Sequence, residues 1–369
     1  MGKHKKNKNN VKKPAAITLA SIFAVGIISF TYWYLSLTAP KLPEPPLKEL
    51  ASAHKISLGV HVQARRLDDR IYPGIVSSQF DFVTVDGGIH FQEVQPSLTR
   101  FDFSKADPIV EFAEKHNMSV QMHHLVWGDD FVLPAWLTEG KFNKQQILDI
   151  LHKHITTIVK HYKGRIKEYT VVNEAFTENQ HVYGLRNWWA EHIGNDMKYI
   201  DDYFIWAHRA DPKAKLLLND FNDQTKNSVS DAIYKYVKAA KARGVPIDGV
   251  GMQMHIDASQ PSKKQDVIDN MKRFGKIGVP VYVTEFDVNT NSVKGSDAYK
   301  NRLESKITYD MVRACIESKA CISFDAFGVT SRNDLIKKIT RANSRAYMFD
   351  SRFRPRSAFY SFRQAWLEP

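Results

Sequence analysis

The chain has 369 residues, 43% of them hydrophobic, 25% charged and 12% aromatic, with a formal net charge of +12. That is the composition of an ordinary globular protein, and two cysteines (Cys315 and Cys321) are too few for a disulfide-held scaffold or a zinc site. Half of the positive excess lies in Lys3, Lys5, Lys6, Lys8, Lys12 and Lys13, with no acid among residues 1–37, a distribution that suits membrane topology rather than nucleic-acid binding.

Residues 1–14 read as a basic cytoplasmic tail. Residues 15–37 (AAITLASIFAVGIISFTYWYLSL) contain no charge over 23 positions. As a helix that run is about 34 Å long, enough to cross a hydrocarbon core of about 30 Å. Tyr32, Trp33 and Tyr34 lie near its outer end, where an aromatic belt would sit. The preceding lysines keep the N-terminus inside, so the remainder is expected outside the cytoplasm, held by this anchor. A cleaved signal peptide is the rival reading. Its apolar region is usually about 7–15 residues, and Pro40 after Ala39 opposes cleavage there. Residues 38–50 (TAPKLPEPPLKEL) carry four prolines and read as a stiff spacer, leaving 51–369 for the folded domain.

Short β-rich runs then alternate with helical stretches. Strands are predicted at 56–62, 81–87, 119–127, 168–175, 215–221, 249–256, 281–288 and 322–329. Helices are predicted at 108–116, 145–162, 196–210, 232–243 and 304–318. The strand runs are apolar on both faces, as parallel strands covered by helices must be. Eight repeats predict an α/β fold, a (β/α)₈ TIM barrel preceded by the single transmembrane helix. Polar residues gather at the strand C-terminal ends: Asp86, His123, Asn173 with Glu174, Asn219 with Asp220, Gln253 with His255, and Glu285 with Asp287. A barrel builds its active site on that face.

Glu174 closes the fourth predicted strand and Glu285 lies in the seventh. Those positions face each other across an eight-stranded ring. Retaining glycosidic cleavage needs two carboxyl groups roughly 5–5.5 Å apart, one as acid/base and one as nucleophile. Asn173 can hydrogen-bond a substrate 2-hydroxyl, and His255 can hold Glu285 ionised. Glu174 must carry a proton at working pH, so its surroundings should raise its pKa.

At this point several motifs resemble those of glycoside hydrolase family 10, the endo-β-1,4-xylanase family. They run from about residue 55 to 366. FDFVTVD (80–86) and FDFSKAD (101–107) are similar to the family's second strand and the stretch after it, and HHLVW (123–127) with LPAWL (133–137) to its third-strand signature. VVNEA (171–175) resembles the acid/base motif, which implies that role for Glu174, and TEFDV (284–288) resembles the nucleophile motif, which implies Glu285. ADPKAKLLLNDFN (210–222) and GVPIDGVGMQMH (244–255) are longer matches. Cys315 and Cys321 resemble a pair that family members often bridge before the eighth strand.

Departures from the family pattern cluster in the sugar pocket. Gly87, Gly88 and His90 stand where the family grips the glycone with Asn, Glu and Lys. Gly128 replaces a histidine and is followed by Asp129 and Asp130; Phe327 and Leu335 replace tryptophans. Lost polar contacts should change specificity, and lost stacking should weaken binding of a flat xylan chain. Two function classes therefore stay open. One is an active retaining hydrolase, or a transglycosylase sharing its covalent intermediate, on xylan or a related β-glycan. The other is a membrane-anchored glycan-binding protein with weak or no catalysis. Retention of Glu174, Glu285, Asn173, Gln253 and His255 favours the first.

His123 and His124 are neighbours on a strand and should point to opposite faces, so they cannot share a metal; no metal or other cofactor is expected. His123 is expected to line the pocket with Trp127, Phe327 and His90, and His124 to pack outward. Neither His61 nor His181 has an assigned role. The expected partners are an oligo- or polysaccharide and the membrane, without nucleic acid, and the catalytic domain is expected to be monomeric.

Overall fold

Apolar β-branched runs in this chain form a closed ring of parallel strands. The computed structural model describes residue 2 and residues 40–85, 87–176, 188–194, 196–330 and 347–369. The span expected at 15–37 and the readings of Asp86, His181 and Leu335 fall outside those residues. Among the described residues, no helix is long and apolar enough to cross a membrane.

A first helix, α1 (Leu47–Ala53), precedes the repeat. The repeat runs β1 (Ser57–Val62), α2 (Tyr72–Gln79), β2 (Phe82–Val85), α3 (Asp107–Lys115), β3 (Ser119–Trp127), α4 (Lys144–His161), β4 (Glu168–Asn173), α5 (Lys198–Ala210) and β5 (Lys215–Asp220). It continues with α6 (Ser228–Ala242), β6 (Gly249–Met252), β7 (His255–Asp257), α7 (Lys264–Lys276), β8 (Val281–Asn289), α8 (Asp297–Ser318), β9 (Cys321–Ala326) and α9 (Ser357–Leu367). The sheet order is β6-β5-β4-β3-β2-β1-β9-β8, and β6 pairs with β8 to close the ring. The short β7 continues the sixth position beside the outer half of β8. All pairings within the ring are parallel, and each consecutive pair is joined across a helix, which is the (β/α)₈ barrel.

Local chemistry explains the helices. Asn143 and Gln146 form a reciprocal capping box at the start of α4, with each side chain bonding the other's amide, at 3.0 and 2.9 Å. Ile147, Ile150, Leu151, Ile155 and Ile158 then bury one stripe of α4 against the strands. The run of α2 was not predicted; its Pro73 is tolerated in a first helical turn, where its missing N–H costs nothing. Also unpredicted was α7, whose mostly polar sequence still buries Val267, Ile268, Met271 and Phe274 along one face. Cys315, in the last turn of α8, is disulfide-bonded to Cys321 at the start of β9.

The spacer reading of residues 38–50 needs correction. Helix α1 starts at Leu47, inside that span, and buries Leu47 and Leu50. The guanidinium of Arg363 on α9 donates to the carbonyls of Pro43, Glu44 and Pro45. Prolines lack N–H groups but keep their carbonyls, so a Pro-rich strand is easily held from one side by a fork of donors. Arg363→Ala is expected to cost about 1–3 kcal/mol of stability. It should also speed hydrogen exchange selectively in residues 47–53; an unchanged exchange pattern would show that the segment is held by α1 packing alone.

Candidate active site

The site is assembled at the C-terminal mouth of the barrel, and most of it is made by residues just past the ends of strands. Glu174 follows β4 with φ 56°, a left-handed conformation that a non-glycine residue adopts only at some cost. Its amide donates to the Asn219 carbonyl on β5 at 3.0 Å, which ties that turn to the ring. The Glu174 carboxyl accepts from the Trp127 indole Nε1 at 2.9 Å and from Gln253 Nε2 at 2.9 Å.

Glu285 lies within β8, next to a register irregularity between Val283 and Phe286 against β9. It is 5% exposed. Its Oε1 accepts from Asn219 Nδ2 at 2.9 Å and lies 3.5 Å from His123 Nε2. Its Oε2 lies 3.3 Å from His255 Nε2, whose other nitrogen is 3.1 Å from Asp287 Oδ1. His255 therefore sits between two carboxylates.

Three amides join the two acids. Gln253 Nε2 bonds Glu174 and also reaches Asn173 Oδ1 at 3.4 Å. Asn219 Nδ2 donates to Asn173 Oδ1 at 2.8 Å and to Glu285. Thr284 Oγ1 donates to Asn219 Oδ1 at 2.6 Å, which fixes the orientation of that amide. Gly251 makes room for it, since a Cβ there would stand 2.2 Å from Asn219 Oδ1.

These surroundings split the two proton affinities. Burial raises the pKa of Glu174, and the negative charge of Glu285 acts in the same direction; the bonds from Gln253, Trp127 and Asn173 oppose the shift without cancelling it. Burial would raise Glu285 as well. There His123, then His255 and His61, outweigh it and hold the carboxyl down at about 2. Burial likewise disfavours a charge on His255, but Asp287 and Glu285 overcome that and raise its pKa well above the ordinary value.

The structure thus brings Glu174, Glu285, Asn173, Trp127, His123, Gln253 and His255 together. Phe327 stands beside them, edge-on to His61 and His255 at 4.8 and 4.9 Å between ring centres. His90 is one ring further out, 6.3 Å from Trp127 and 3.5 Å from Glu93. The Cys315–Cys321 bridge lies between α8 and β9.

Outward packing of His124 is not observed. Its ring lies 5.0 Å from Trp127 and stacks on His90 at 5.6 Å, and it is buried. The pairing of β3 with β4 shifts register between His123 and Val126, and such an irregularity breaks the simple alternation of faces. Sequence reasoning also undervalued Asn219 and Asp287 and left His61 without a role. His61 Nε2 meets the Thr284 carbonyl at 2.9 Å and Asp325 at 3.5 Å. All three lie at strand ends, so their positions carried the signal, but nothing local named their partners.

Two carboxyl groups with opposed proton affinities thus lie at the mouth of a (β/α)₈ barrel, an arrangement of the kind that glycosidic cleavage requires. The sequence pattern of Glycosyl hydrolase family 10 matches residues 46–365, and the chain belongs to that family. It is 31% identical to endo-1,4-beta-xylanase B of Thermotoga neapolitana, over 82% of this chain and 85% of that one. It is 36% identical to a beta-1,4-xylanase of Dictyoglomus thermophilum, over 71% and 72%. Among solved structures, xylanase 10B from Thermotoga petrophila RKU-1 in complex with xylobiose superposes with a TM-score of 0.82 at 30% identity, covering 89% of this chain and 99% of that one.

Replacing the charged His255 should release Glu285 toward its buried, higher pKa. In His255→Gln the carboxylate infrared band of Glu285 is expected to titrate at a pH well above the wild-type value of about 2. The ionised form is favoured in the wild type above that value, so the variant loses it first as pH falls. An unchanged titration would assign the effect to His123 alone.

Proposed function

We propose that this barrel cleaves β-1,4-linked polysaccharide of the xylan type with retention of anomeric configuration, using Glu285 as nucleophile and Glu174 as acid/base. The observation that carries the reading is the split in proton affinity between two acids joined by one run of amides. In the first step the Glu285 carboxylate attacks the anomeric carbon, while Glu174 gives its proton to the departing oxygen. The glycosyl-enzyme ester that forms removes the charge on Glu285, and with it the part of the Glu174 shift that this charge added to burial. Glu174 is then a carboxylate able to take a proton from water, which attacks the same carbon and frees Glu285. Asn173 bonds the 2-hydroxyl in this scheme, and His255 with Asp287 keeps the nucleophile ionised between turnovers. The xylanase relatives support the choice of backbone sugar.

The full-length protein is expected to release the aryl group from an aryl β-xylobioside and to give the β-anomer first by NMR. Glu285→Ala should abolish release. Glu174→Ala should slow xylan cleavage by about 10²–10⁴-fold, and less for a good leaving group that needs no proton. An α-anomer formed first, or undiminished release by Glu285→Ala, would sink the mechanism. No release at all from folded wild type would favour a glycan-binding protein.

We infer further that the barrel stands outside the cytoplasm on an uncleaved anchor at 15–37. The uncharged run after six lysines supports this, as does the Cys315–Cys321 disulfide, a bond that persists in oxidising compartments. Protease added to intact cells should remove the barrel and leave a membrane-bound N-terminal fragment. Full protection from protease would overturn the placement.

A further inference from the structure

The cleft extends beyond the catalytic carboxyls. Trp127, which holds Glu174, neighbours His90. His90 lines an open cleft of about 550 Å³ between the loops that follow β1 and β2, within the span of about 300–1,000 Å³ usual for ligand pockets. Gly87 leaves part of its wall bare, since a Cβ there would meet nothing within 4 Å.

Among the described residues, the charges lining this cleft do not cancel. Glu93 accepts from Lys105 Nζ at 3.0 Å and from the Gly88 amide at 2.6 Å, so Lys105 and Glu93 offset one another. Arg65 is also exposed in the cleft. Its Nε and Nη2 donate to the neutral Gln63 Oε1, at 3.0 and 2.8 Å. Among the described residues, no carboxylate pairs with it. Gln63 thus occupies one edge of the guanidinium and fixes its plane, leaving the Nη1–Nη2 edge for a partner. That edge matches a carboxylate through two parallel bonds, a geometry lysine cannot reproduce.

A neutral sugar chain gains little from a fixed, uncompensated cation. We propose that this cleft is a subsite for a uronic acid substituent on the glycan, with its carboxylate received by the open edge of Arg65. The identity of the main chain rests on the hydrolase reading above. The chain then selects acid-decorated over neutral glycan, with charge recognition at the loops after β1 and β2 adding to the contacts at the catalytic end.

The test compares a xylo-oligosaccharide bearing one glucuronic acid branch with the same compound after reduction of its carboxyl to a neutral alcohol. For the full-length wild type, kcat/KM is expected to favour the acidic form by about tenfold, the worth of one charge-assisted bond. That ratio should fall to near one in Arg65→Ala, recover partly in Arg65→Lys, and shrink as salt rises. A parallel calorimetric titration of both compounds onto Glu285→Ala reads the same ratio in binding, independent of turnover. A ratio that persists in Arg65→Ala overturns the subsite, as does a wild-type ratio near one. Failure of the hydrolase reading would show separately, as absent turnover on both compounds, while the binding ratio would still decide the role of Arg65.

Discussion

The site depends on one contact: a buried carboxylate, Glu285, kept charged by the imidazoles against it. An acid so deeply enclosed would ordinarily hold its proton. His123 and then His255 prevent that, the latter with Asp287 stabilising its positive charge from the far side, and the Asn219 amide completes the shell around Glu285. Much of the surrounding architecture serves this arrangement. The irregularity in β8 lies at Glu285, and Gly251 leaves the space that the Asn219 side chain fills.

Glu174 shows how the same side chain reaches the opposite state. It has neutral donors around it and no cation in bonding contact among the described residues. Burial and the charge of Glu285 therefore prevail, and its pKa is raised. Each acid thus helps to define the other, and the amides of Gln253, Asn173 and Asn219 hold them in a single rigid unit. Preorganisation of this kind lets charge develop on reaction without the surroundings having to reorient. The left-handed turn at Glu174 is part of its cost.

Much of this was legible from residue order. Six of the eight predicted barrel strands end within two residues of their observed boundaries, which is within ordinary boundary uncertainty; the last, predicted to 329, stops at Ala326, and 249–256 is divided into β6 and β7 by Gln253 and Met254, the latter at φ 61°. Helix α7 was missed because few of its residues are apolar, and α1 because the prolines before it mark an extended chain unless something distant binds them. Arg363, more than 300 positions away, does so. His124 was misplaced because alternation assumes a regular strand, and β3 is not regular there.

What the sequence determined by itself was the barrel and the identity of its two central acids. Strand periodicity is a local property of adjacent residues, and a motif such as VVNEA or TEFDV lies within one strand and its end. Tertiary structure alone decided the environments: which imidazole touches which oxygen, that Asn219 bonds Asn173 and Glu285 together, that Arg65 has an open edge while Lys105 does not. Those facts depend on the separation of side chains brought by the ring closure from strands far apart in the chain. Proton affinity depends steeply on such separations, so the state of each acid could be settled only in the folded molecule.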